Sequence, residues 1–111
     1  EYVKGNYVVA GGDWNQNPPD YNLSKVNPTY PAVKREILDD TLLPDNWQIV
    51  YDPKNPTNRE IDAPLTKGKT EVTIIDFYML SPNIQLEAIK TFAQNFQFSD
   101  HEPVFLKIKI K

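Results

Sequence analysis

The strictest alternation in the chain runs from Val104 to Lys111. Val104, Leu106, Ile108 and Ile110 share one parity, and Phe105, Lys107, Lys109 and Lys111 share the other. A period of two puts these sets on opposite faces of a strand, one toward a core and one toward water. Glu71 to Leu80 reads differently: Val72, Ile74, Asp76, Tyr78 and Leu80 line one face, and Thr73, Ile75, Phe77 and Met79 the other. Both faces are mostly apolar, which predicts a central strand. Tyr7 to Ala10 is a short apolar run bounded by glycine and predicts a strand buried on both faces. Trp47 to Tyr51 alternates as a strand until Pro53 and Pro56 end it. Ile84 to Phe92 fits either a strand or a short helix.

Between these runs the pattern breaks down. Pro18, Pro19, Pro28 and Pro31 fall among Asn, Asp and Ser and predict a long surface loop over Asn15 to Pro31. Ala32 to Leu43 has Val33, Ile37 and Leu38 spaced for one side of about three helical turns, while its charged residues equally permit an irregular segment. Strands separated by long loops predict a mixed α+β fold, built on one mostly antiparallel sheet with few helices.

Composition narrows the picture. A chain of 111 residues with 40% hydrophobic content buries one core. Twelve basic against fifteen acidic residues give a net charge of −3, so no general basic field is available to hold a nucleic-acid backbone. The absence of cysteine excludes disulfides and thiolate metal sites and leaves the compartment open. No run approaches the roughly eighteen apolar residues of a membrane helix, and EYVKGNY is not a signal peptide. The lack of an initiator methionine predicts a piece of a longer gene product.

Three clusters carry candidate chemistry. In GGDWNQNPP, Asp13 and Asn15 follow a strand at a spacing of two, so both side chains can converge on a ligand or simply form an Asx-turn. Asp76 sits mid-strand among apolar neighbours and needs a partner, either a structural one such as Arg59 or a functional one. His101 is the one histidine; Ser99 and Asp100 precede it and Pro103 follows. An imidazole beside carboxylates suits general acid or base work, although lone histidines often only pack.

The order of GDWN, IIDFYMLSPNI and SDHEPV resembles the endonuclease/exonuclease/phosphatase superfamily, whose signatures are GDxN, a strand such as LDYxxxS, and SDHxP. The resemblance covers the C-terminal half of such a domain. It departs only in Trp14 at the variable place and Phe77 where tyrosine is common. It implies half of a four-layer α/β sandwich over residues 1–111 and a metal-dependent hydrolase of phosphoester bonds. Asp13 would position or deprotonate the attacking water, and Asn15 would orient that water or a phosphate oxygen. His101 would contact the scissile phosphate, Asp76 would hold its other ring nitrogen, and Asp100 would sit beside the metal. The cofactor implied is Mg2+ or Mn2+, incompletely bound because the family's N-terminal half supplies the principal glutamate. Arg59, in PTNR on the loop before the Asp76 strand, is a candidate phosphate ligand against the plainer reading of a solvated surface arginine.

The partners implied are a phosphoester substrate (nucleic acid, nucleotide or lipid head group), the N-terminal half, and a second copy of this chain. That copy would cover the apolar side near Val8, Ile74 or Ile75, and Leu106, and the isolated chain would be catalytically silent. The competing reading is a noncatalytic binding or assembly module that keeps the fold. A third, a sugar-binding β-domain using Trp14, Trp47 and Tyr51 as stacking platforms, rests only on 12% aromatic content.

Overall fold

A computed structural model describes residues 5–110. Seven strands occur in chain order: β1 (Val9–Asp13), β2 (Gln48–Val50), β3 (Asn58–Arg59), β4 (Val72–Thr73), β5 (Asp76–Leu80), β6 (Ile84–Thr91) and β7 (Val104–Ile110). They form three small antiparallel sheets, β1-β5-β2, β3-β4 and β6-β7. The described residues contain no α-helix, only 3-10 turns at Leu23–Lys25 and Asp40–Leu42. The α/β expectation is therefore wrong in its helical layers and in its single sheet. The protein is a small all-β fold.

Of the two readings of Ala32 to Leu43, the irregular segment holds and the helix fails, for a traceable reason. Its backbone is spent on distant partners: Ala32 bridges Val72, Val33 N–H donates to Val72 O, Ile37 bridges Asn17, and Leu38 N–H donates to Asn17 O. Groups so engaged are withdrawn from the i→i−4 ladder. Near the segment's end, Asp39 accepts the Thr41 N–H through its side chain, capping a single 3-10 turn.

One buried amide organises this region. Asn17 is fully buried; its Nδ2 donates to Thr73 Oγ1 at 2.7 Å and Ile74 O at 2.9 Å, while its Oδ1 accepts the Arg35 N–H. The proline-rich loop is thereby pinned across the end of β4 rather than left in solvent, and Pro18 is buried beside it.

The long run Glu71 to Leu80 is central over its second half, where β5 lies between β1 and β2. It changes partners on the way. β4 pairs with β3, and the ladder lapses at Ile74 and Ile75 before β5 takes up β1. At the lapse, the Thr57 hydroxyl accepts the N–H groups of both Ile75 (3.0 Å) and Asp76 (3.2 Å), and Trp14 N–H donates to Ile75 O. Side chain and loop thus satisfy the backbone where the ladder does not.

Two further expectations are corrected. β1 is an edge strand with Val9 exposed, so the run before the glycines is not buried on both faces. Ile74 and Ile75, placed on an uncovered side, are at 0% and 1% exposure and sealed inside the chain. Ile84 to Phe92 resolves as a strand over Ile84–Thr91, paired with β7 through a bulge between Leu86 and Ala88. On β7, Leu106 and Ile108 pack against the Val50, Leu80 and Ile84 core, and Phe105, Lys107 and Lys109 face outward. Lys111 lies outside the described residues.

Candidate active site

The site forms where the ends of β1 and β5 meet the turn into β7. Asp13 and Asp76 are register partners across β1 and β5, so two carboxylates are adjacent at one sheet end. The third group arrives along β3. Thr57 N–H donates to Thr73 O, Glu102 N–H donates to Thr57 O, and Asn58 bridges His101 in antiparallel fashion. β3 is consequently the spacer that delivers His101 to the end of β5.

His101 Nδ1 lies 2.8 Å from Asp76 Oδ2, and Nε2 lies 3.8 Å from Asp13 Oδ2. The first contact is a short hydrogen bond; an ionised Asp76 accepts it, which puts a proton on Nδ1. The second is too long for a direct bond. An oxygen off the line between them can nevertheless lie ~2.8 Å from both, in hydrogen-bond reach of each. Asp13 is kept in place from behind, since its Oδ1 accepts the Asn15 N–H at 2.8 Å. Asn15 adopts φ 54°, the left-handed conformation that asparagine tolerates.

Electrostatics reinforce this arrangement. Burial alone would lower the His101 pKa, but the hydrogen bond to Asp76 and the charges of Asp76, Asp100 and Asp13 together carry it above the ordinary value. Burial pushes Asp76 up, and this outweighs the stabilisation of its carboxylate by His101 and Thr57. Both groups therefore hold protons more tightly than in water, Asp76 chiefly because it is partly desolvated and His101, against its own burial, because of its bond to Asp76 and the negative charge around it.

The remaining expected residues are placed less directly. Asp100 offers its backbone carbonyl to Asn58 Nδ2 and Arg59 N–H, and its carboxylate lies outside the Asp13, Asp76 and His101 group. Arg59 neighbours the site through its backbone, while its guanidinium Nη1 donates to Glu60 O and its buried Nε has no partner. Two positions that sequence reasoning passed over are closer. Asn58 Nδ2 lies 3.3 Å from His101 Nε2, and Thr57 fixes the Asp76 backbone. The signal was available in PTNR: strand alternation puts Asn58 and Arg59 on opposite faces, and charge drew attention to Arg59 while Asn58 is the one that reaches His101.

The chain matches no family model, no curated protein and no solved structure. The functional reading thus rests on motif order and on the geometry above.

That geometry also tests the implied cation. Asp13, Asp76 and His101 each offer one ligand atom within 4.8 Å of the others. Mg2+ takes oxygen ligands in octahedral geometry, largely carboxylates and waters. Here one of the three is a nitrogen, and an Asp76 oxygen is engaged by His101 Nδ1. The described residues do not by themselves make a Mg2+ site. They make an aspartate-oriented histidine facing a second aspartate.

Trp14 is committed elsewhere. Its Nε1 donates to Phe77 O at 2.9 Å and its ring stacks on Phe77 at 5.6 Å and 18°. It locks the end of β1 onto β5, which removes it as a sugar-stacking platform.

Proposed function

We propose that this chain carries the proton-transfer portion of a phosphoester hydrolase site of the endonuclease/exonuclease/phosphatase type. The observation that supports the reading most is the line Asp76, His101, Asp13, with the imidazole anchored at Nδ1 and its Nε2 turned to an open carboxylate. Hydrolysis of a phosphoester needs a water aligned on phosphorus, a group to take its proton, and positive charge for the developing oxyanion. As the water oxygen bonds to phosphorus, Asp13 Oδ2 takes its proton and the P–O bond to the leaving alcohol breaks, the departing oxygen taking its proton from solvent. The imidazolium of His101 donates from Nε2 to a phosphoryl oxygen, or to the water as it is positioned, and Asp76 holds the ring in its productive orientation. While the ring is neutral, Asn58 Nδ2 can donate to Nε2 from the β3 side; on protonation the Asn58 amide must present Oδ1 or turn away, because two donors cannot pair. No step is routed through a cation, because the described residues do not assemble its site.

The test is kinetic, on the natural gene product in which this sequence occurs, with Mg2+ and a panel of phosphomonoesters and phosphodiesters. His101→Ala and Asp13→Ala are each expected to lower kcat by ~10² to 10⁴, the range for losing a proton-transfer or charge-stabilising group. Arg59→Ala is expected to do much less. Near-normal turnover in His101→Ala would end this reading and leave the noncatalytic binding module in its place.

A further inference from the structure

A second polar site lies behind the loop that carries His101. A cavity of about 130 Å³ is bounded by Asn27, Tyr30, Asn55, Asn95, Phe96 and Glu102. Glu102 is only 6% exposed. Its Oε2 accepts the N–H groups of Gln94 (2.6 Å) and Phe96 (3.3 Å), so the carboxylate lies beneath the loop that forms one cavity wall. Among the described residues no cation pairs with it and Oε1 takes no hydrogen bond. Oε1 is not among the sealed, unpartnered atoms, and Glu102 lines a cleft beside Gly12, Asp76 and Val104 as well as this cavity, whose wall includes Phe96, one of the two residues bound to its carboxylate. A carboxylate this deep calls for a donor in that space.

The rest of the wall says which donor. Asn55 Nδ2 is engaged by Asp52 Oδ2, leaving Asn55 Oδ1 as a second free acceptor. Asn27 Oδ1 accepts from Thr29 and Asn95 Oδ1 accepts from Tyr30, leaving the two Nδ2 groups as free donors. The site thus offers one anionic and one neutral acceptor together with two neutral donors. Asn95 and Phe96 hold this wall in consecutive left-handed conformations, φ 56° and 52°. Such a pair is unfavourable for non-glycine residues and clusters where ligands are clamped.

From this pattern we infer that the cavity binds a primary ammonium group with a carbonyl oxygen beside it, the chemistry of an α-amino amide. The ammonium donates to Glu102 Oε1 and Asn55 Oδ1, and the carbonyl accepts from Asn27 or Asn95. The ligand is either a free small molecule or the N-terminus of a peptide, whose remaining residues would lie outside so small a cavity. Glu102 N–H donates to Thr57 O, and Thr57 holds the Asp76 backbone. A filled cavity therefore braces the segment on which His101 is mounted.

The experiment is an amide NMR titration of the chain with glycinamide, N-acetylglycinamide and a Gly-Ala-Ala amide. Glycinamide is expected to shift the Gln94, Phe96 and Glu102 resonances saturably, and N-acetylglycinamide, which lacks the charge, is expected not to. Glu102→Gln keeps the side-chain shape and is expected to weaken glycinamide binding about ten-fold or more, as for loss of a charge-assisted hydrogen bond. Thr29→Trp, at an exposed position on the rim, is expected to block the cavity while the spectrum stays dispersed. Binding of the tripeptide would identify a peptide N-terminus as the source, and its failure beside glycinamide binding would identify a free small ligand. Equal affinity for N-acetylglycinamide, or unchanged glycinamide affinity in either variant, would overturn the inference.

Discussion

His101 concentrates the chemistry of the described residues, and its titration is the most direct handle on the site. Its folded pKa lies above the ordinary 6.5 because Asp76, Asp100 and Asp13 outweigh burial. A raised pKa means that protonation favours the folded state: the stabilisation is fully present below pH 6.5 and is lost as pH rises through the folded value. Asp76 acts in the same direction, since its raised pKa makes its contribution fade as pH climbs above the ordinary 3.8. Urea midpoints are therefore expected to fall between mildly acid and alkaline pH. The Hε1 resonance, single because the sequence has one histidine, is expected to titrate above 6.5. In Asp76→Asn it is expected to move down, as burial is left with less opposition. An unchanged midpoint in that variant would show that the pair is not coupled as drawn.

Asn17 is the other residue whose single side chain decides much. With its buried amide bonded to Thr73, Ile74 and the Arg35 N–H, the first two bonds buried and the third partly so, Asn17→Ala leaves several polar groups unsatisfied. Each such group costs about 1–3 kcal/mol. The variant is expected to lose at least ~2 kcal/mol by denaturant unfolding, a large fraction of the stability margin of a small domain.

At the scale of elements, the site depends on strands that hand over hydrogen bonds to side chains. The join between β4 and β5 is held by the Thr57 hydroxyl, which serves Ile75 and Asp76 together. Thr57→Val keeps the shape and removes the acceptor, so two N–H groups lose their partner, for an expected cost of about 2–4 kcal/mol. Thr57→Ser is expected to retain most of it. The β1 and β5 pairing carries a different constraint: Gly11 lies against the Tyr78 ring, and an added Cβ would overlap its ring carbons. Tyr78 cannot simply swing away, because its hydroxyl donates to Val104 O on β7 at 3.1 Å. Gly11→Val is expected to destabilise by about 1–3 kcal/mol, as overpacking does, and to displace Asp13 from Asp76. Circular dichroism melts and the His101 titration read these two effects separately.

For the molecule as a whole, the core is divided. Three clusters, around Ile74, Val72 and Leu80, replace one continuous interior, and the principal extents are 47 × 25 × 22 Å. The surface of 6951 Å² exceeds the roughly 6,300 Å² usual for a monomer of this mass. Exposed apolar side chains include Tyr7, Val9, Phe92, Phe105 and Ile110. We expect the isolated chain to self-associate and to be catalytically silent, the first to hide this surface and the second for want of a complete cation site. Sedimentation from low to high micromolar concentration checks the first, with a constant monomeric mass as the contrary result. Metal-dependent hydrolysis by the purified chain would contradict the second.

What the sequence determined by itself was local. Alternation marked β7, the apolar two-faced run marked β5 as central and Asp76 as a misfit within it, and the polar breaks marked the stretches beginning at Asp13 and around His101, because period and turn chemistry act over a few residues. Only the tertiary structure decided the rest. The helix over 32–43 gave way to bridges with Asn17 and Val72, partners far off in the chain. Arg59 turned to Glu60 while Asn58 met His101, a choice made by the register of β3 rather than by charge. The break between the β3-β4 and β1-β5-β2 sheets falls where side chains of Thr57 and Asn17 take the place of ladder bonds. Each of these outcomes depends on contacts between residues 18 to 57 positions apart, which no local pattern encodes.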